Sequence, residues 1–147
     1  MTTTNSVTKS VTKNATEPMI GGADEPWARA ANIVVLRGRL VNEPTRRELP
    51  SGRVVVQFDV STQVSEGDRV TTISAPVAWL DPSDAASATL VAGEEFLVVG
   101  SVRRRFFRVG GATQSRTEVV ADRVIPVRRR KQVDAALADV YSTLGSG

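Results

Sequence analysis

The sequence predicts an all-β domain, a five-stranded barrel with one short helix, followed by a helical tail. Apolar and polar residues alternate with a period of two over most of residues 32–127, and turns rich in Gly, Pro, Ser and Asp separate the alternating runs. A chain of 147 residues with 41% hydrophobic side chains is also long enough for one domain with a real core.

The first two strands are predicted over residues 32–41 and from Arg53 onward, with a turn at 49–52 (Leu-Pro-Ser-Gly) between them. Alternation in the first strand puts four residues on one face: Val34, Leu36, Gly38 and Leu40. The second strand has a matching apolar face: Val54, Val56, Phe58 and Val60. A glycine inside a strand, here Gly38, predicts a bulge or a sharp coil that curls the sheet.

Three further strands complete the pattern. The third runs over residues 69–79 and is followed by an Ala-rich helix over 83–90, capped by Asp or Ser. The fourth runs over 95–109, Gly110-Gly111 forms a hairpin tip, and the fifth runs over 116–127. Five strands with one helix between the third and the fourth is the order of an OB-fold barrel.

The two ends of the chain differ from this domain. Residues 1–31 show no strand or helix period and predict a flexible N-terminal arm, in which Trp27 is the large apolar residue. Residues 128–147 predict a basic linker and a helix over 132–144 with one apolar stripe: Val133, Leu137, Val140 and Leu144. The stripe is expected to pack on the domain itself or on a neighbouring subunit.

Composition argues against an enzyme. The chain has no Cys and no His, so it lacks the common nucleophilic thiol, the commonest general base and the commonest metal ligands. A nuclease clusters carboxylates around Mg²⁺, whereas Asp59, Glu95 and Asp122 are scattered singly. We therefore expect no cofactor, no metal and no catalysis. No apolar stretch long enough for a membrane span and no secretory signal are present, which predicts a cytoplasmic protein.

Positive charge is concentrated in the domain. Residues 32–131 carry 16 basic and 11 acidic residues, although the whole chain has a net charge of only +3. Most of the cations are Arg, whose planar guanidinium suits bidentate contacts with phosphate. An Arg-for-Lys bias also arises from genome composition, so the distribution of the cations carries the argument.

The segment over residues 100–108, GSVRRRFFR, is the most informative for function. In a strand, three of its side chains point to one side: Arg103, Arg105 and Phe107. Three others point to the opposite side: Val102, Arg104 and Phe106. Cations that flank an aromatic ring can hold phosphates while a base stacks on the ring. The alternative is a solvated arginine face whose aromatics plug the mouth of the barrel.

Other strands add candidate contacts. Trp79 ends the third strand on the same side as Ile73, where it serves either as a stacking platform or as a barrel plug. Arg37 and Arg39 add two cations on the first strand, and Arg53 extends the path. Each signal is weak alone, and their agreement on one barrel favours nucleic-acid binding.

From Asn32 to Val127 the chain resembles the bacterial single-stranded DNA-binding protein (SSB) family. The matching segments are 38–41 followed by Pro44, 49–52, 56–60, 100–107 and 117–124. The resemblance implies a homotetrameric OB-fold that wraps single-stranded DNA in replication, recombination and repair. The family's stacking positions are similar to Trp79, Phe107 and Ile73, and its basic positions resemble Arg103 and Arg105.

Three departures from the family pattern are visible. Ile73 stands where the family usually has an aromatic residue, and the hairpin at 63–68 is short and lacks an aromatic. The chain ends in YSTLGSG without the family's acidic C-terminal tip, which recruits repair enzymes. These differences predict an accessory second paralogue rather than the main replication protein.

The leading hypothesis is therefore non-catalytic, largely sequence-independent binding of single-stranded DNA by stacking and Arg–phosphate contacts. The alternative is an OB-fold protein-interaction module with little affinity for DNA, whose basic face is incidental.

Overall fold

A computed structural model of the chain describes residues 30–145. The predicted N-terminal arm, with Trp27, falls outside the described residues except for its last two. Six strands and two helices follow in the order β1 (Val34–Leu40), β2 (Thr45–Glu48), β3 (Val54–Glu66), β4 (Arg69–Leu80), α1 (Asp84–Ser87), β5 (Glu95–Val109), β6 (Ala112–Pro126) and α2 (Arg130–Gly145).

Five of the strands close into a barrel, which confirms the predicted OB-fold. Strands pair in the order β1-β5-β6-β4-β3, and β1 returns to β3 through the pairs Arg39–Ser61 and Leu40–Val60. All these pairings are antiparallel except that of β4 with β6. The unpredicted strand β2 extends the sheet along the edge of β3. Its four residues, TRRE, are all exposed and show no apolar alternation, so the sequence pattern could not indicate it.

Two glycines allow the strands to approach closely. A Cβ added at Gly38 would lie 2.1 Å from the Ser61 carbonyl oxygen, so a side chain there would prevent β1 from meeting β3. A Cβ at Gly100 would lie 2.1 Å from the Val120 carbonyl oxygen. The register of β5 against β6 shifts between Val99 and Gly100, whereas β1 pairs with β5 in unbroken register through Gly38, so a bulge occurs at Gly100 and not at Gly38.

The barrel interior is filled by alternating strand residues. Phe96, Val98 and Val60 are fully buried at its centre. The remaining members of the main core cluster are Leu40, Val56, Phe58, Val77, Trp79, Leu90, Val119, Ala121 and Val124. The core residues of β3, β4, β5 and β6 lie in the parts of the β3–β4 and β5–β6 hairpins that belong to the barrel. The outer parts of both hairpins extend beyond this core.

The helices cover parts of the barrel. The helix α1 is shorter than predicted, and Ser83 caps it by accepting a hydrogen bond from the Ala86 N–H at 3.1 Å. The longer helix α2 buries Ala136 against the outer side of β5 and β6. Around Ala136, a second hydrophobic cluster forms between α2 and the barrel, and its other members are Leu97, Val99, Ile125, Val133, Leu137 and Val140. The predicted apolar stripe thus packs on its own domain, except for Leu144, which is 56% exposed. Within residues 30–145, no helix is long and apolar enough to cross a membrane.

Candidate nucleic-acid interface

The outer half of the β5–β6 hairpin, residues 102–118, forms a two-stranded extension that we call the β5–β6 arm. It ends at Gly110 and Gly111, whose positive φ angles of 59° and 83° suit a tight hairpin turn. Over residues 102–117, every side chain except those of Arg105 and Phe107 is exposed. Both faces of the arm are therefore open to a ligand.

The register of the hairpin decides which side chains share a face, because directly opposed residues on paired strands point the same way. On the outer face, Arg103 opposes Glu118, Arg105 opposes Arg116 and Phe107 opposes Gln114. The inner face continues the barrel core from Val102, which opposes the buried Val119, and carries Arg104 and Phe106. The structure thus places the six candidate side chains on two faces, as the alternation predicts.

Each aromatic ring on the arm stands beside an arginine of its own face. The Arg105 Cζ atom lies 5.6 Å from the centroid of the Phe107 ring, and the Arg104 Cζ atom lies 6.0 Å from that of Phe106. The Phe106 ring is 65% exposed, whereas Phe107 is half-buried. Such pairs offer a ring for a base and a cation for the adjoining phosphate.

Two charged residues on the outer face escaped the sequence analysis. Arg116 adds a third cation opposite Arg105, and Glu118 places a buried carboxylate at the base of the arm. The Arg105 Nε atom lies 3.6 Å from Glu118 Oε2, whereas Arg103 forms no salt bridge with any described residue. Counting outward from the Gly110–Gly111 tip would have placed both residues on this face.

Trp79 does not belong to the same surface. It is 8% exposed, joins the core cluster, and opposes Val56 on one side and Ala121 on the other. Since its ring packs inside the barrel, it offers no face to a base on the arm, and its small exposed part lines a groove between α1 and the end of β6. The structure therefore favours the barrel plug over the stacking platform.

Ile73 lies on the β3–β4 hairpin opposite Thr62 and is 44% exposed. Its alternation with Ala75 and Val77 continues the inner side of β4 beyond the barrel. Ile73 thus presents apolar surface on a different hairpin from Phe107.

The three other candidate cations each have a partner. Arg37 Nε lies 3.2 Å from Glu95 Oε2, and Arg39 Nη1 donates a hydrogen bond of 2.9 Å to the Gly93 carbonyl. Both line an open cleft of about 430 Å³ between β1 and the β3–β4 hairpin. Arg53 pairs with Asp81, whose pKa is lowered first by the Val54 N–H and then by the Arg53 guanidinium. The structure brings Arg37 and Arg39 together in this cleft. Arg53 lies apart from them in its ion pair with Asp81, which we call the clamp.

Three comparisons with known proteins show what the chain is similar to. Residues 31–127 match the model of the family described as Single-strand binding protein family. The chain is similar to single-stranded DNA-binding protein 2 of Listeria innocua, with 30% identity over 115 residues that cover 75% of this chain and 72% of that protein. It is also similar in fold to the solved structure of Plasmodium falciparum SSB complexed with ssDNA, with a TM-score of 0.56 and 20% identity. That match covers 66% of this chain and 95% of the other.

Proposed function

Because the chain belongs to the single-strand binding protein family, we propose that it binds single-stranded DNA through the β5–β6 arm, without catalysing a reaction. The observation that carries the proposal is the outer face of the arm, where Phe107 stands among Arg103, Arg105 and Arg116. Bases would stack on the ring, and the cations would neutralise the adjoining phosphates. Neither contact reads base edges, so binding would be largely independent of sequence.

The other candidate residues have graded roles in this proposal. Phe106 and Arg104 offer a second stacking pair on the inner face of the arm, and Ile73 offers apolar contact from the neighbouring hairpin. Arg37 and Arg39 extend the positive path along β1. Arg53 is engaged by Asp81 at 2.7 Å and adds the least.

The biological setting is part of the proposal. We place the protein with DNA in the cytoplasm, as an accessory paralogue acting in replication, recombination or repair. Support comes from the family and from its similarity to a protein named single-stranded DNA-binding protein 2. The family also supports a homotetramer, to which the α2 stripe adds no support because it packs on its own barrel. A mass near that of the 15.8 kDa chain by light scattering at micromolar concentration would contradict the tetramer.

Titration with fluorescent oligo-dT at several salt concentrations tests the function, with oligo-U and duplex DNA as competitors. Binding should weaken steeply with salt, and Arg103→Gln should flatten the log–log salt dependence by about 0.7 for one lost phosphate contact. Arg47→Gln is a matched control, since it removes an exposed cation from β2, outside the arm. Absence of oligo-dT binding at low salt would reject the proposal in favour of a protein-interaction module.

A further inference from the structure

A second concentration of positive charge lies outside the arm, in the basic run Arg128–Lys131. It begins directly after residue 127, where the family match ends. All four residues are exposed. Arg128 pairs with Glu94 at 2.7 Å, whereas Arg129, Arg130 and Lys131 form no salt bridge within residues 30–145. Three adjacent cations are therefore left without a carboxylate partner in the described part of the chain.

The fold does not benefit from these charges. The helix α2 starts at Arg130, and its first turn contains no acidic residue. The amino end of a helix carries partial positive charge, so cations there are disfavoured and Asp or Glu would stabilise it. Repulsion among neighbouring cations adds to the cost. Because the helix dipole does not favour cations at this end of α2, a bound anion is the better explanation for Arg129, Arg130 and Lys131.

A surface groove beside the run has the chemistry of a nucleotide site. The groove, of about 400 Å³, lies between α1, the end of β6 and the start of α2. Its lining combines apolar surface with polar donors: Trp79, Ala86, Val124, Ile125 and Ala135 with Thr89, Arg123, Arg129 and Gln132. Arg123 is held by Asp139 at 2.6 Å, whereas Arg129 is unpaired among the described residues. An apolar floor next to unpaired donors suits a base joined to a phosphate.

We propose that the basic run and this groove form a second contact for the same single-stranded DNA that occupies the arm, with Arg129, Arg130 and Lys131 holding its phosphates. The inference rests on the proposed function and adds phosphate-binding cations that lie outside the family-matched region. Glu118 and Pro126 stand eight residues apart on β6, which corresponds to roughly 26 Å at about 3.3 Å per residue. Only an oligonucleotide shorter than this span is confined to one contact, and a long one would reach both.

The test compares oligo-dT of about 3 and about 30 nucleotides, below and above the range of site sizes for one OB-fold. The triple variant Arg129→Gln, Arg130→Gln, Lys131→Gln should bind the 3-mer like the wild type. For the 30-mer, its log–log salt slope should flatten by about 0.7 per lost contact, or about 2 in total. Its melting temperature should stay the same or rise, because cations leave the amino end of α2. The control compares two single variants that each remove one exposed cation. Arg129→Gln should flatten the salt slope for the 30-mer, whereas Arg47→Gln on β2 should not.

Three outcomes would overturn the inference. Equal salt slopes for variant and wild type at both lengths would show that the run does not touch DNA, as expected if it bound an acidic protein instead. An equal loss at both lengths would show a long-range field rather than a second contact. Failure of the wild type to bind either oligonucleotide would overturn the proposed function as well, so the two failures are distinguishable.

Discussion

The two halves of the β5–β6 hairpin follow the same alternation and end in opposite environments. Near the barrel, Phe96 and Val98 are fully buried on one side, while α2 covers Leu97 and Val99 on the other. Beyond Gly100 most side chains of the hairpin are exposed on both sides, and Phe106 is 65% exposed. Strand alternation assigns a face to each residue, but a second layer of structure decides whether that face becomes core or binding surface.

Trp79 and Phe107 show the same contrast between core and binding surface at the level of single side chains. Both were candidates for base stacking, yet Trp79 fills the barrel and Phe107 lies on the arm beside Arg105. If the contrast is correct, removing the first ring should affect folding and removing the second should affect binding.

Replacing Trp79 by Ala should lower the free energy of unfolding by about 3–5 kcal/mol, because it leaves a cavity in a packed core. Urea or thermal denaturation measures the change. The matched control is Phe106→Ala on the arm, which should stay within about 0.5 kcal/mol of wild type. Wild-type stability in Trp79→Ala would show that the ring does not contribute to the core.

Replacing Phe107 by Ala should weaken oligo-dT binding by about 1–3 kcal/mol through the loss of one stacked base. The salt slope should not change, since no cation is removed. Titration at three salt concentrations measures both quantities. If Phe106→Ala weakens binding and Phe107→Ala does not, the DNA lies on the inner face of the arm instead.

The predictable part of the fold follows from alternation and turn chemistry. The hairpin tip at Gly110–Gly111, the cap at Ser83 and the helix α2 all have local signals, and the structure contains each of them. The short strand β2 does not, because strands exposed on both sides show no apolar period. Its existence depends on the free edge of β3, which is a property of the assembled sheet.

The candidate site was less predictable because it depends on contacts between distant segments. No local pattern shows that Arg53 is held by Asp81, 28 positions later, or that Arg37 is held by Glu95, 58 positions later. The burial of Trp79 likewise requires the barrel to be closed. Within the arm, by contrast, the placement of Glu118 opposite Arg103 follows from the hairpin tip alone.

Glu118 should lower the affinity for DNA, because its carboxylate lies 3.6 Å from the Arg105 Nε atom on the proposed DNA face and competes with phosphate for this cation. Glu118→Gln keeps the shape of the side chain and releases Arg105 for a phosphate. We expect oligo-dT to bind more tightly, because Arg105 no longer has a carboxylate that competes with the phosphate. The salt slope should also steepen by up to about 0.7.

A double-mutant cycle gives this prediction its control. In the wild type, Arg105→Gln should flatten the salt slope less than Arg103→Gln, which removes a cation without a carboxylate partner among the described residues. In the Glu118→Gln background the two arginine variants should become equivalent. A weaker affinity in Glu118→Gln would show that the carboxylate orients Arg105 for binding rather than competing for it.

The smallest effect concerns the ion pair between Arg53 and Asp81. Asp81 has a φ of 50°, accepts a hydrogen bond of 2.8 Å from the Val54 N–H, and pairs with Arg53 at 2.7 Å. The Val54 N–H, followed by Arg53, lowers the pKa of Asp81 below its ordinary value of 3.8. A lowered pKa in the folded state stabilises the fold above the unfolded pKa, and this contribution is lost as the pH falls through the folded value.

Asp81→Asn isolates the charge, since Asn also tolerates a positive φ and can accept the Val54 hydrogen bond. The variant should be less stable than wild type at neutral pH, and the difference should shrink once the pH falls below about 4. A difference that stays constant in acid would mean that shape rather than charge holds the clamp. Oligo-dT titration of the same variant then decides the role of Arg53. If Arg53 belongs to the clamp alone, freeing it leaves the salt slope unchanged, whereas a steeper slope would place it on the DNA path and weaken the separation between barrel and arm.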